Sequence, residues 1–285
     1  MTASILDGIV LGFQFGLLGA GLTLVYGMGG VLNLAYGQMG VIAAITASLA
    51  MDAGASVLPA VGLGLLAGGL LGLLLDQTIL RPVYRLRDEA RVLLSLLLTL
   101  GVAFIVDGFL NWRYPLKALN LFISGGAIEI LEVPMRRGSL LASAITLVIM
   151  AALFVFFRYT ILGQAVRSVI EDEEGARLVG IDPNRMMRLI LVLSGVLAAL
   201  VAITRSMVIP VDVQAGFPIT VFALIVAVVG GLGSVPGALL AGLILGIVNS
   251  IAASTIGTFM SLVILLVAAA VTILIRPSGL LGVAE

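Results

Sequence analysis

The run GQAVRSVIEDEEGARLVGIDPNR, residues 163–185, decides how the rest of the chain is read. It is the most polar passage in the sequence, with Glu171, Asp172, Glu173 and Glu174 in succession. Ala165, Val166, Val169 and Ile170 fall on one face at helical spacing. Past Gly175 a second stripe of Ala176 and Val179 follows, so the run predicts two short amphipathic helices. Glu173 and Glu174 stand at the positive end of the second helix, with Arg177 spaced to pair with them. Gly180 is placed to end that helix in a left-handed cap. Asp182 then reads as the N-cap of a third helix with Pro183 at its first position. That third helix turns apolar near Arg188, which joins the polar hairpin stiffly to whatever the apolar segment does.

Outside this run the chain is greasy. Its 285 residues are 61% hydrophobic and 11% charged, with a mean hydropathy of +1.26. Globular domains carry about a quarter charged residues, so the composition implies an integral membrane protein. The 35 glycines and sparse aromatics point to packed helices, and the alternating segments and aromatic girdles of a β-barrel are absent. Segments of about 20 apolar residues, enough to cross roughly 30 Å of hydrocarbon, fall near 8–28, 31–51, 57–80, 91–111, 139–157, 188–209 and 255–275. Residues 219–252 are too long for one crossing, and GGLGSVPG at 230–237 suits a tight reversal or broken helix between two shorter ones. The expected fold is therefore an all-α polytopic bundle of about eight or nine spans, a single transmembrane domain over 1–285 with its polar hairpin at about 159–187. Residues 1–6 lack a basic leader and a small-residue cleavage site, so the first span is expected to be retained.

Two further patterns give packing and sidedness. Gly8, Gly12, Gly16 and Ala20 recur every fourth residue, as do Gly64, Gly68 and Gly72, and again Ala238, Gly242, Gly246 and Ser250. Such rows let helix backbones approach closely in lipid. Basic residues cluster at 81–91, as Arg81, Arg85, Arg87 and Arg91, and again over 158–188 and at Arg276. Basic loops stay in the cytoplasm, which predicts an outside N-terminus, an inside C-terminus and a cytoplasmic hairpin. Arg113, Lys117, Arg136 and Arg137 in the connection 112–138 run against this assignment.

Chemistry-bearing residues are few. With no cysteine and no histidine, the chain has neither a thiolate site nor the usual proton shuttle. No metal is expected, and the zero net charge gives no reason to expect a nucleic acid partner. Polar groups at membrane depth are costly, which singles out Tyr26, Asn33, Tyr36, Gln38 and Asn249. Asn33 and Gln38 follow the break at Gly27-Met28-Gly29-Gly30, where an unwound backbone could face a cavity. Each of these side chains serves equally well as a pathway wall, an interhelical hydrogen-bonding group or, for the tyrosines, an interface anchor. Asp107, Asn111 and Arg205 are expected near the outer ends of their spans, and Asp76 and Gln77 in solvent at the inner boundary.

EDEEGARLVGID resembles the cytoplasmic coupling loop of ATP-binding-cassette importer permeases. GLTLVYGMGGVLNLAYGQMG (21–40), VVGGLGSVPGALLAGLILG (228–246) and IRPSGLLG (275–282) resemble the LivH-type permease of branched-chain amino acid importers. Relatives often read Asn-Phe-Ala-His-Gly-Glu where this chain has Asn33-Leu34-Ala35-Tyr36-Gly37-Gln38, losing an imidazole and a carboxylate. The resemblance implies a multi-pass permease of the bacterial cytoplasmic (inner) membrane, forming half of a translocation pathway. Its implied partners are a second, LivM-like permease subunit, two cytoplasmic ATPase subunits and an extracytoplasmic solute-binding protein, within membrane lipid. It implies no cofactor on this chain, with ATP and Mg²⁺ held by the ATPases, and the sequence has no phosphate-cradling G-x-x-x-x-G-K-[ST] loop. It also implies that Glu171, Asp172, Glu173, Glu174, Gly175, Arg177 and Gly180 couple the permease to the ATPases. The expected cargo is a branched-chain amino acid, with urea, short amides and other amino acids as alternatives. An ion-coupled secondary transporter is disfavoured by the peripheral acids, and an intramembrane enzyme by the absence of cysteine and histidine.

Overall fold

The small-residue rows find one another. The computed structural model describes residues 2–86, 88–121, 128–130, 133–276 and 278–282, so Arg87 of the basic loop and Pro277 of the C-terminal motif lie outside the described residues. Helix α1 (Thr2–Gly29) lies along α10 (Val235–Ile256). A methyl group at Gly8 would sit 2.7 Å from the Cα of Ile247, and one at Gly12 would sit 2.8 Å from the Cα of Leu243. The second row lies on α3 (Val57–Leu74), where Gly64 meets Ala43 of α2 (Tyr36–Asp52) and Gly68 meets Gly195 and Ala199 of α8 (Pro183–Ser206). Lipid offers no hydrophobic drive between helices, so close backbone approach and dispersion hold the pairs. Helices α1, α2, α8 and α9 (Gly216–Gly230) form the buried centre, with Phe15, Leu22, Tyr36, Met39, Ile190, Leu191, Leu197 and Ile219 essentially inaccessible.

The remaining long helices are α4 (Asp88–Arg113), α5 (Arg137–Tyr159) and α11 (Thr258–Ile275). The hairpin comprises α6 (Ile161–Glu171) and α7 (Glu173–Leu178). Among the described residues, eight helices are long and apolar enough to cross a membrane. The segment 219–252 is a true hairpin, since α9 ends at Gly230 and α10 restarts at Val235. The expected helical span 31–51 is corrected. The chain runs without helix from Gly30 to Ala35, and α2 is only 17 residues long, so six non-helical residues lead into a short helix.

Hydrogen bonds and ion pairs sort the ends into two faces. On one face Arg91 reaches Gly29, Arg188 reaches Asp76, and the tail residues Leu280 and Leu281 bond to Val229 and Gly230. On the other, Lys117 pairs with Asp52, Leu121 bonds to Ser206, and Ser4 bonds to Ser254. Strand β1 (Ala118–Leu119) pairs there with β4 (Val211–Asp212), and β2 (Ile128–Ile130) pairs with β3 (Val133–Met135). The N-terminus and the C-terminal tail thus lie on opposite faces, and the hairpin shares the face of Arg81, Arg85, Arg91 and Arg276.

The α1–α10 contact is the most extensive in the bundle. Gly12→Ala should force the two backbones apart at a cost of about 1–3 kcal/mol, the range of overpacking. Gly101→Ala on α4, where an added methyl meets nothing within 4 Å, should leave the melting temperature of the detergent-solubilised chain unchanged. Equal melting of the two variants would contradict the packing described.

Candidate functional site

An extended backbone inside a bundle has polar groups that no helix satisfies, and in hydrocarbon each unpaired one costs several kcal/mol. Here hydroxyl side chains supply the partners. The Leu32 N–H donates to Ser95 Oγ (3.1 Å), and the Leu34 N–H donates to Thr99 Oγ1 (3.0 Å). The Thr99 hydroxyl in turn lies 2.7 Å from the Ser95 carbonyl and 3.2 Å from that of Leu32. At the far end the Gly37 N–H donates to Thr220 Oγ1 (2.9 Å). The near end turns at Gly30, whose φ of +57° suits a residue without a side chain. Arg91 clamps that turn, donating to the carbonyls of Gly29 (3.1 Å), Leu86 (2.9 Å) and Tyr84 (3.2 Å). Arg91, Ser95 and Thr99 recur every fourth residue on one face of α4, a polar stripe visible in the sequence but read there only through the charge of Arg91.

The expected pathway residues separate into different roles. Asn33 is fully buried, its Oδ1 accepting from the Ala35 N–H (3.0 Å) and its Nδ2 lying 3.4 Å from the Met39 sulfur, so it shapes the start of α2. Tyr36 is also fully buried, with its ring filling the space left by Gly21 of α1. Gln38 is 3% exposed, its Oε1 has no hydrogen-bond partner, and it borders a cavity of about 210 Å³ between α2, α3 and α4. Ala35, Met39, Ile42, Leu71, Leu75, Val102 and Val106 make the rest of that cavity largely aliphatic. Tyr26 is half-buried near the end of α1, and Asn249 is half-buried on α10 with Oδ1 unpartnered, so neither joins the Gln38 cavity.

The polar hairpin folds much as its residues predict, with one correction. The division between its helices falls at Asp172, whose Oδ1 caps α7 by accepting from the Gly175 N–H (3.0 Å), so that Glu173 and Glu174 stand in the first turn of α7 as expected. Val179 does not join Ala176 on a buried stripe. Ala176 is 3% exposed, whereas Leu178 and Val179 at the tip are 90% and 75% exposed. Glu173 is engaged by Arg177 at 2.6 Å, which leaves Glu171 and Glu174 as the outward acids of the four. Gly180, with φ +87°, ends α7, and Asp182 caps α8 by accepting from the Asn184 N–H (3.0 Å), with Pro183 at the first turn.

Asp76, outside the hairpin, is a further correction, because it is buried at 3% exposure instead of solvated. It lies in a π-helical turn, Leu75–Leu80, that continues α3. Its carboxylate accepts from the Tyr84 hydroxyl (3.1 Å) and lies 3.4 Å from Arg188 Nε on the first turns of α8. Burial, with the Asp76 charge and hydrogen bond adding to it, pushes the Tyr84 phenol above its ordinary range, and Arg91 opposes the shift. The ion pair ties α3 to the helix that emerges from the hairpin. An acid within an otherwise apolar span was the only sequence signal for it.

Removing one hydroxyl tests the extended segment. Thr99→Val strips the partner from the Leu34 N–H and should cost about 1–3 kcal/mol of stability, whereas Thr99→Ser should restore it. Melting of the purified chain in detergent reads the difference, and a valine variant as stable as the serine one would exclude this role.

The chain can now be set beside known proteins. The family model described as branched-chain amino acid transport system / permease component matches residues 4–276. The high-affinity branched-chain amino acid transport system permease protein LivH of Escherichia coli K12 is 27% identical, over 97% of this chain and 94% of its own. BraD of Pseudomonas aeruginosa, described in the same words, is 29% identical over 98% and 94%. Among solved structures, PsaBC from Streptococcus pneumoniae in complex with Fab superposes with a TM-score of 0.53 over 96% of this chain and 92% of that one, at 14% identity, a likeness of fold. With a family match running almost end to end and a helical membrane bundle to carry it, this chain belongs to the permease components of branched-chain amino acid transport systems.

Proposed function

We propose that this chain is half of the translocation pathway of a bacterial inner-membrane importer for branched-chain or related amino acids. A second permease subunit, LivM-like in character, completes the pathway, an extracytoplasmic solute-binding protein delivers the cargo, and two cytoplasmic ATPases with their ATP and Mg²⁺ supply the energy. The observation that carries this reading is the match to the permease family across residues 4–276, which includes the hairpin. The hairpin's geometry supports its role as receiver. Leu178 and Val179 stand exposed at its tip, where apolar side chains on a soluble face invite a protein groove. Displacement of α7 passes through the Asp182 cap and Pro183 into α8, and through Arg188 and Asp76 into α3. Helix movements of this kind at a subunit interface are an established way to rearrange a bundle.

The Gln38 cavity supports a small, mostly apolar cargo. Its volume of about 210 Å³ is below the roughly 300–1,000 Å³ of pockets for drug-sized ligands. The aliphatic lining suits a branched side chain, with Gln38 as a polar side chain at its border whose amide oxygen is buried and unpaired.

Transport by the complete complex in proteoliposomes tests both parts. Changing Leu178 and Val179 together to Asp should reduce uptake about tenfold or more, the scale of a lost interface anchor, with normal membrane insertion. Gly175→Leu, which displaces the Asp172 cap, should do the same. Uptake at wild-type rates in both would remove the hairpin from the coupling route. Gln38→Leu should raise the KM for the cargo more than it lowers kcat. Leucine, isoleucine and valine should compete for uptake, and competition by urea or short amides alone would reassign the cargo.

A further inference from the structure

A second cleft, of about 470 Å³, opens beside the hairpin and is lined mainly by charge. Arg81, Tyr84 and Arg85 come from the α3–α4 connection, and Arg177, Asp182, Asn184 and Arg188 come from α7 and the start of α8. Two of the four arginines have partners, Arg177 with Glu173 (2.6 Å) and Arg188 with Asp76 (3.4 Å). Asp182 is engaged by its own helix N-terminus and by Arg185 (3.1 Å). Arg81 and Arg85 are exposed, and among the described residues neither has an ion pair. The cleft therefore holds two uncompensated guanidinium groups on one wall, facing two more across it.

We propose that this cleft binds the phosphate of an anionic phospholipid headgroup from the cytoplasmic leaflet. The charge alone would suit any phosphate, since guanidinium forks match phosphate oxygens. The surroundings favour a lipid. On α3, Leu66, Leu70 and Leu74 are exposed at 63%, 58% and 53% and recur every fourth residue, forming an apolar stripe that runs down to the π-helical turn and Arg81. An acyl chain on that stripe places its headgroup at the mouth of the cleft, and basic pockets between membrane helices on the cytoplasmic side are known to hold such headgroups. A soluble partner's carboxylate would use the arginines but leave the stripe unused. Because the cleft's walls are the α3–α4 connection and the hairpin, a bound phosphate bridges the moving joint to the bundle and holds it in the arrangement seen here.

Native mass spectrometry of the full-length purified chain, from nanodiscs of phosphatidylcholine with or without phosphatidylglycerol, tests the assignment without any ATPase. The wild-type chain should retain phosphatidylglycerol adducts. Arg81→Gln with Arg85→Gln should weaken retention about tenfold or more, from the loss of two interfacial charges, and the lysine pair should keep most of it. Arg136→Gln with Arg137→Gln, an equal charge change on the opposite face, should have no effect. Retention unchanged by Arg81→Gln with Arg85→Gln, or lost equally with the Arg136 and Arg137 variant, overturns the site. Displacement of the adduct by inorganic phosphate at equal concentration overturns the lipid as its source. Should the Arg81 and Arg85 variant keep its lipid but lose the ATPase subunits on complex purification, the cleft is a protein-docking site and the proposal fails.

Discussion

A non-helical backbone can sit at membrane depth only if every N–H and carbonyl along it finds a partner. In this chain that constraint falls on residues 30–37, and its solution organises the neighbouring helices. Ser95 and Thr99 of α4, Thr220 of α9 and the guanidinium of Arg91 supply the partners. Helix α4 is otherwise sparsely packed, with only 17% of its apolar window buried. Its polar stripe, rather than interdigitated side chains, ties it to the bundle. Gln38, in the first turn of α2, borders an aliphatic cavity, with its amide against Gly216 of α9 and its amide oxygen buried and unpaired.

The bundle thus combines two kinds of attachment. The α1–α10 and α3–α8 contacts are glycine-to-backbone approaches that admit no added atom without a shift, and packed interiors of this kind move as units rather than deform. The flank formed by α4 is held more through hydrogen bonds from Arg91, Ser95 and Thr99, which can be exchanged at lower cost. A rigid centre with a loosely held flank is a suitable construction for a permease. The Asp76–Arg188 pair adds a polar tie to the α3–α8 contact, being buried on the α3 side and about 40% exposed on the α8 side.

Much of this was legible before any coordinates. The hydropathy profile located the crossings, including the reversal at 230–237, because a span of hydrocarbon imposes its length on any helix within it. The caps at Asp182 and Gly180 were legible because capping is settled within a few residues. The sequence does not single out Asp172 as the cap of α7, because several polar residues in succession compete for the same end. Asp76 was misplaced for a different reason. Its burial depends on Tyr84 and on Arg188, and the latter is 112 positions away.

The sequence by itself determined that the chain is a helical membrane bundle, roughly where most of its crossings fall, and that a polar hairpin feeds directly into an apolar helix. These are local properties, set by hydrophobic run length, small-residue spacing and turn chemistry. Only the tertiary structure decided which glycine row meets which helix, that Asn33 is a turn former while Gln38 borders a cavity, and that Leu178 and Val179 stand outward. Each of those outcomes depends on what lies across the bundle, and a side chain's surroundings are written in residues far from it along the chain.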